Sequence, residues 1–380
     1  MNELLTQAAT RVGNPAIDDW KKQGKKVVGT VCSHVPEEVL TAAGIASYRL
    51  RGIDTTSTSI GDTYFGPFVC SCPKAILQNA GEGKFSFLDG AVMVQACDSM
   101  RRLDECWRKA GEDYEGAMPD YFYYFGVPHK VSEYSINWFT EEIERFVKSL
   151  EEHFNVSITP ESLSEAVALH NRERSLLADL EDLRAREDAP VTGTEAMTLV
   201  LAGTALPTQA YISLLEEALD EMRQRTGENG KRKRIMLAGS VVDDLALVEA
   251  LEDEGALVVT DNVCFGARAH EGEVDAGQPG YKGLATRYLH EQLCPRMFGY
   301  YRQRFDLLTQ KIEKARVDGV VFQNIRFCDL HGSENGLMER DLENMGIPAI
   351  RIEREYGAMA DEGRVRMRVG AFLESINQGR

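Results

Sequence analysis

At 380 residues the chain is longer than one ordinary core fills and long enough for two α/β domains with a helical connector. Its 43% hydrophobic and 8% aromatic content is that of a globular protein rather than a disordered one, and no apolar run approaches a membrane span. A formal net charge of −17 argues against nucleic acid as a general partner, because phosphate binding needs a basic face.

The opening Met1–Thr10 carries Glu3 and lacks a basic start followed by an apolar stretch, so no secretory leader is read and a cytoplasmic protein is expected. Eight cysteines in such a chain are expected as free thiols, because the cytosol keeps them reduced. They are then packed apolar groups, reactive thiols or metal ligands.

In chain order, Lys26-Val27-Val28-Gly29-Thr30-Val31 reads as a β-branched strand ending at Cys32. Pro36-Glu37-Glu38-Val39-Leu40 opens a helix with two acids in its first turn, and Gly44 closes it. Ala46 to Leu50 is a second strand, Leu88 to Ala96 a third that ends at Cys97, and Tyr121 to Val127 an aromatic fourth. Strands alternating with helices at this spacing imply a parallel sheet. From Glu133 to about Leu201 the pattern turns helical. Thr159-Pro160-Glu161 is a helix start, and Leu163, Ala166, Val167, Leu177 and Leu180 form an apolar stripe.

Asn229-Gly230 marks a break, and the basic run Lys231-Arg232-Lys233-Arg234 reads as a solvated lead-in to the next strand. That strand is Arg234 to Ser240, followed by a helix from Leu245 to Leu251. Leu257 to Asp261 leads to Cys264, Gly319 to Asn324 leads to Cys328, and Pro348 to Glu353 completes a second open sheet. The division expected is 1–132 as a first α/β domain with an N-terminal helix, 133–230 as a helical connecting region and 231–380 as a second α/β domain.

Open parallel sheets bind ligands beyond the carboxyl ends of their strands. Cys32, Cys97, Cys264 and Cys328 all fall just past strand ends, and Cys70 follows the loop Gly66-Pro67-Phe68-Val69. Thiolates so placed in two domains can converge across the cleft and select zinc, copper or iron–sulfur centres. The spacing is neither that of paired zinc cysteines nor that of the compact ferredoxin run, since Cys70-Ser71-Cys72 has a single residue between its thiols. There is no GxGxxG after the first strand and no GxSxG elbow. Gly227 to Lys231 mimics a phosphate loop only loosely, with Arg232 where Ser or Thr is required. A Cys–His hydrolase built on Cys32 and His34 stays conceivable, although nearness in sequence is not geometry.

Four segments together resemble a known family. Val31-Cys32-Ser33-His34-Val35-Pro36-Glu37-Glu38 with Ala42-Ala43-Gly44 is similar to the opening motif of the 2-hydroxyacyl-CoA dehydratase / benzoyl-CoA reductase family. Phe87-Leu88-Asp89-Gly90 running into Ala96-Cys97-Asp98-Ser99-Met100-Arg101-Arg102 resembles its second signature. Asp261-Asn262-Val263-Cys264 with Gly266 and Arg268 resembles a third, and Asp318-Gly319-Val320-Val321 with Phe327-Cys328-Asp329 and Gly346-Ile347-Pro348 the last.

The resemblance implies two flavodoxin-like α/β parallel-sheet domains joined by a helical segment, and a 4Fe-4S cluster held by Cys70, Cys97 and Cys328, with Cys72 a rival to Cys70. Some relatives carry a double-cubane cluster needing six thiolates, for which Cys32, Cys264 and Cys294 are available. Cys106 is read as a packed thiol, and Asp98 and Asp329 either as caps of the helices that follow, the preferred reading, or as hydrogen-bonding groups near the cluster. The implied chemistry is low-potential one-electron transfer to an acyl-CoA substrate. The implied partners are a homologous second catalytic subunit and an ATP-hydrolysing iron–sulfur activator. Met100-Arg101-Arg102-Leu103 and Trp107 are most similar to the smaller of the two catalytic subunits in ATP-dependent benzoyl-CoA reductases. This makes an aryl-CoA reductase subunit the leading expectation. A 2-hydroxyacyl-CoA dehydratase subunit and a non-catalytic electron-transfer or scaffold subunit are the alternatives.

Overall fold

The computed structural model describes residues 1–227, 232–278, 280–356 and 362–378. Asn229-Gly230 and Lys231, where the sequence suggests a break and the head of a basic run, lie outside the described residues.

Two helices, α1 (Glu3–Thr10) and α2 (Pro15–Lys22), precede β1 (Val27–Thr30), α3 (Glu37–Ala42), β2 (Ala46–Arg49), α4 (Ser59–Tyr64), α5 (Ser71–Gly81), β3 (Gly90–Val94), α6 (Asp98–Asp113) and β4 (Tyr121–Phe125). The four strands form one all-parallel sheet in the order β2-β1-β3-β4. All residues of β1 and β3 are buried, as near-continuous apolar runs require when helices cover both faces. The edge strand β4 buries only its end residues Tyr121 and Phe125. The third strand starts later than Leu88 because Asp89 is engaged sideways: it pairs with Lys21 and Lys26 and accepts from the Val27 N–H.

Four helices follow: α7 (Glu133–Phe154), α8 (Pro160–Ala185), α9 (Gly193–Gly203) and α10 (Thr208–Arg223). Phe139 and Phe146 of α7 meet Phe125 edge-on at 5.5 and 5.4 Å, which docks the helix on the sheet edge. The α8 start is the one expected, with a capping box between Thr159 and Ser162 and Pro160 in the first turn. Leu163, Ala166, Leu177 and Leu180 are buried along it.

The second sheet is made by β5 (Lys233–Gly239), α11 (Ala246–Asp253), β6 (Ala256–Asn262), α12 (Tyr281–His290), α13 (Tyr301–Lys314), β7 (Gly319–Ile325), α14 (Asp329–Asn344), β8 (Ala349–Arg354) and α15 (Glu362–Gln378). Its strands are again all parallel, in the order β6-β5-β7-β8, so the sheets repeat one flavodoxin-like topology. Arg232, Lys233 and Arg234 do lead into β5: Arg232 donates to Glu252 O and Arg234 to Ala315 O. Gly239 ends β5 at φ +118°, where a Cβ would stand 2.0 Å from Gln323 O, so only glycine fits there. Among the described residues no helix is long and apolar enough to cross a membrane.

Helix α8 ties the halves together with two buried ion pairs. Arg174 donates to Glu38 of α3 at 2.5 Å, and Arg184 donates to Asp261 of β6 at 2.8 Å. Tyr288 of α12 completes the Glu38 site at 2.8 Å. Chain segment 274–297 also crosses back, placing Val274, Leu284, Leu289 and Met297 in the core of the first half.

Candidate metal centre

The carboxyl ends of the two sheets face each other across one cavity of about 100 Å³. Seven of the eight cysteines line it: Cys32, Cys70, Cys72, Cys97, Cys264, Cys294 and Cys328. All six of the thiols expected as ligands are therefore on one wall or another, together with Cys72. None of the cysteines is disulfide-bonded. Cys106 is elsewhere. It is buried on α6 and its thiol donates to Tyr64 O at 3.6 Å.

The chain delivers these thiols by three routes. Cys70, Cys97 and Cys328 are the N-cap residues of α5, α6 and α14, so three helices aim the positive ends of their dipoles into the cavity. Cys32 and Cys264 lie in the turns that follow β1 and β6. Cys294 sits in the turn between α12 and α13. Arg304 clamps that turn by donating to Cys294 O and Met297 O while paired with Glu334.

The capping role expected of Asp98 and Asp329 does not hold. Each is the first residue of its helix, the cysteine before it occupies the cap, and no side-chain cap bond forms. The Asp98 side chain is 98% exposed beside Arg101. As first-turn acids both still favour the helix dipole.

Phe327 holds a positive φ of 65°, a strained conformation for an aromatic residue, immediately before Cys328. Its ring meets Phe68 edge-on at 5.8 Å, closing the rim between the two halves.

The electrostatics oppose free thiolates. Burial pushes Cys97 well above the ordinary thiol value, with the neighbouring Cys70 adding to the rise. Burial likewise lifts Cys72 well above it, Cys294 to about 11 and Cys328 to about 12. These groups would ionise only against positive charge placed among them. Three guanidiniums already line or border the cavity: Arg49, Arg268 and Arg296. Arg268 approaches Cys264 Sγ at 3.6 Å. Arg296 fans onto the carbonyls of Gln95, Ala96, Val127 and Pro128, pinning the ends of β3 and β4. Arg49 and His331 were not singled out from sequence. The usable signals were a cationic residue closing the apolar strand Ala46 to Leu50, and a histidine one turn beyond Cys328.

Cys32 Sγ and His34 Nδ1 are 3.5 Å apart. Burial drives the His34 imidazole well below its usual pKa, and its Nε2 has no partner to orient it. A hydrolytic dyad needs a base held by a third group, so the Cys–His hydrolase reading loses its support.

The donors are thiols without carboxylates, the set that soft metals and iron–sulfur clusters take. They stand around a wall rather than converge on a point. Among the described residues no three His, Cys, Asp or Glu side chains are grouped to hold a single metal ion.

Comparison with known proteins finds relatives that match most of the chain. Residues 32–376 match the family model described as 2-hydroxyglutaryl-CoA dehydratase, D-component. A putative dehydratase subunit, YjiM, of Escherichia coli (strain K12) is 28% identical, covering 97% of this chain and 96% of its own length. A benzoyl-CoA reductase subunit of Thauera aromatica is 24% identical over 95% of this chain and 94% of its own. The (R)-phenyllactyl-CoA dehydratase beta subunit of Clostridium sporogenes is 23% identical over 94% and 93%. The chain belongs to the 2-hydroxyglutaryl-CoA dehydratase D-component family and is a dehydratase- or reductase-type enzyme subunit.

Proposed function

We propose that this chain is an iron–sulfur subunit that delivers single electrons to an acyl-CoA thioester. The observation that carries the reading is the gathering of seven thiols from both sheets around one cavity. Cys70, Cys97 and Cys328, at three helix N-termini, are the principal ligands. Cys32, Cys264 and Cys294 bring the number to the six that a double-cubane cluster needs, and Cys72 is a spare beside Cys70. When bound, the cluster would supply a low-potential one-electron donor.

The protein's own part is to keep water out and fix charge. The opposed sheet ends bury the thiols, and the helix N-termini and guanidiniums offset their negative charge. The three-part division at 1–132, 133–230 and 231–380 belongs to the same reading, with the two sheets as jaws and α8 as the strut.

The acyl group separates two versions. An aryl-CoA reductase role rests on the segment Met100–Leu103 and Trp107. Of these residues Met100 lines the cavity, whereas Trp107 is core and Arg102 faces solvent beside Glu105. A dehydratase role draws on the names of the relatives, most of which are dehydratase subunits. Both versions use a related second subunit and an ATP-hydrolysing activator, in the cytoplasm.

The test is anaerobic purification with iron and sulfide analysis, then product identification in the reconstituted complex. About four irons per chain indicate one cubane and about eight the double cubane; fewer than about three remove the cluster-bearing role. A cyclic dienoyl thioester as product supports the reductase version. An enoyl thioester with loss of water supports the dehydratase version.

A further inference from the structure

The guanidiniums around the cysteines pose a charge problem. Among the described residues none of Arg49, Arg268 and Arg296 is paired with a carboxylate. Arg268 and Arg296 discharge the cost by donating to backbone carbonyls and to the Asn262 side chain. Arg49 does not. It is 5% exposed, and its Nε has no hydrogen-bond partner within the protein. It stands at the end of β2, held there by its backbone N–H to Thr204 O at 2.8 Å. Its guanidinium lies 4.4 Å from the centre of the Phe265 ring, which comes from the turn after β6 on the far side of the cavity. The buried charge of Arg49 acts on the Glu37 carboxyl but forms no ion pair with it among the described residues, and an aromatic face offsets only part of the cost of burying a cation. An anion inside the cavity resolves it.

We propose that Arg49 is a positioning residue whose fixed charge sets the reduction potential of the thiolate-bound group in the cavity, with Phe265 holding the guanidinium in place. The proposal rests on the cluster reading given above. Adding an electron adds negative charge. A cation lining a site shielded from water would favour the reduced form and raise the potential. Neither proton nor bond changes hands in this role.

The experiment is an anaerobic redox titration, followed by electron paramagnetic resonance, of the full-length protein and of Arg49→Met, Arg49→Lys and Phe265→Leu, each with iron and sulfide counted. With iron retained, Arg49→Met should shift the reduction equilibrium at least tenfold against the reduced form, about 59 mV more negative for one electron. Arg49→Lys should recover most of that shift, and Phe265→Leu should fall between. A wild-type potential in Arg49→Met, or an equal loss in Arg49→Lys, overturns the proposal. Should Arg49→Met lose its iron, Phe265→Leu decides: a negative shift supports the role and an unchanged potential overturns it. Wild-type protein without iron overturns the cluster reading itself, a failure distinct from an iron-loaded variant whose potential does not move.

Discussion

After its third strand each sheet turns directly into a helix, and both turns place a cysteine at the N-cap: Cys97 before α6 and Cys328 before α14. After the first strand the sheets diverge. The first sheet puts the thiol of Cys32 there, whereas the second puts Ser240, whose hydroxyl donates to Gln323 and accepts from the Ile325 N–H. At the end of its second strand the first sheet offers Arg49, whereas just past its own the second offers Cys264. One topology, used twice, fixes where side chains point. What each tip contributes is then free to differ: a thiol at equivalent helix starts, a strand lock or a cation elsewhere. The repeat therefore makes a two-sided cavity without making a symmetric one.

The largest break in that comparison should come from the equivalent pair. Cys97→Ser and Cys328→Ser should each lower iron per chain to below about half of wild type, whereas Ser240→Ala should leave it unchanged. Iron and sulfide analysis of anaerobically purified protein reads this directly. Equal iron in all three proteins would mean that the N-cap thiols are not ligands.

Next are the two ion pairs by which α8 grips the halves. Glu38 and Asp261 are both buried against an arginine. Burial alone would raise the Glu38 pKa, but Arg174 holds it at about 2. Glu38→Gln should cost about 3–5 kcal/mol in urea unfolding, since it strands the buried Arg174, and Asp261→Asn less, because Glu181 still pairs with Arg184. A carboxylate depressed in the folded state stabilises above its unfolded value near 4.5. The Glu38 contribution should therefore be whole at neutral pH and fade as pH drops from about 4.5 towards 2, flattening in Glu38→Gln.

A smaller contrast separates the glycines of the first strands. Gly239→Ala meets Gln323 O at 2.0 Å with an unfavourable φ, while Gly29→Ala meets only the side-chain tips of Leu50 and Leu88 at 2.9 Å. The first should cost about 3 kcal/mol and the second about 1–2 kcal/mol by urea midpoint, because side chains yield more readily than backbone. Smallest of all, Cys106→Ala should keep full iron content and lose about 1 kcal/mol, as a packed thiol outside the cavity would.

Much of this was legible in the order of residues. The run Val27–Val31 and the run Gly319–Asn324 are apolar enough to be buried parallel strands. Thr159-Pro160 announces a helix whatever surrounds it, because its cap bonds are local. Strand ends, and with them the cysteines just beyond, could therefore be placed from sequence. Asp98 and Asp329 show the opposite. Their residue type suits a cap, yet the turn geometry after β3 and β7 gives that position to the cysteine before each. A shift of one residue decides it, and local preference does not resolve one residue.

The sequence by itself determined the strands, the helix starts and the cysteines beyond them, because hydrophobic periodicity and capping act over a few residues. Only the tertiary structure decided that the carboxyl ends of two sheets oppose each other, that seven thiols share one cavity while Cys106 does not, and that Arg49 lines it with its Nε unpartnered. Those facts depend on contacts between residues about 200 or more positions apart, which are set by packing and buried charge rather than by neighbours in the chain.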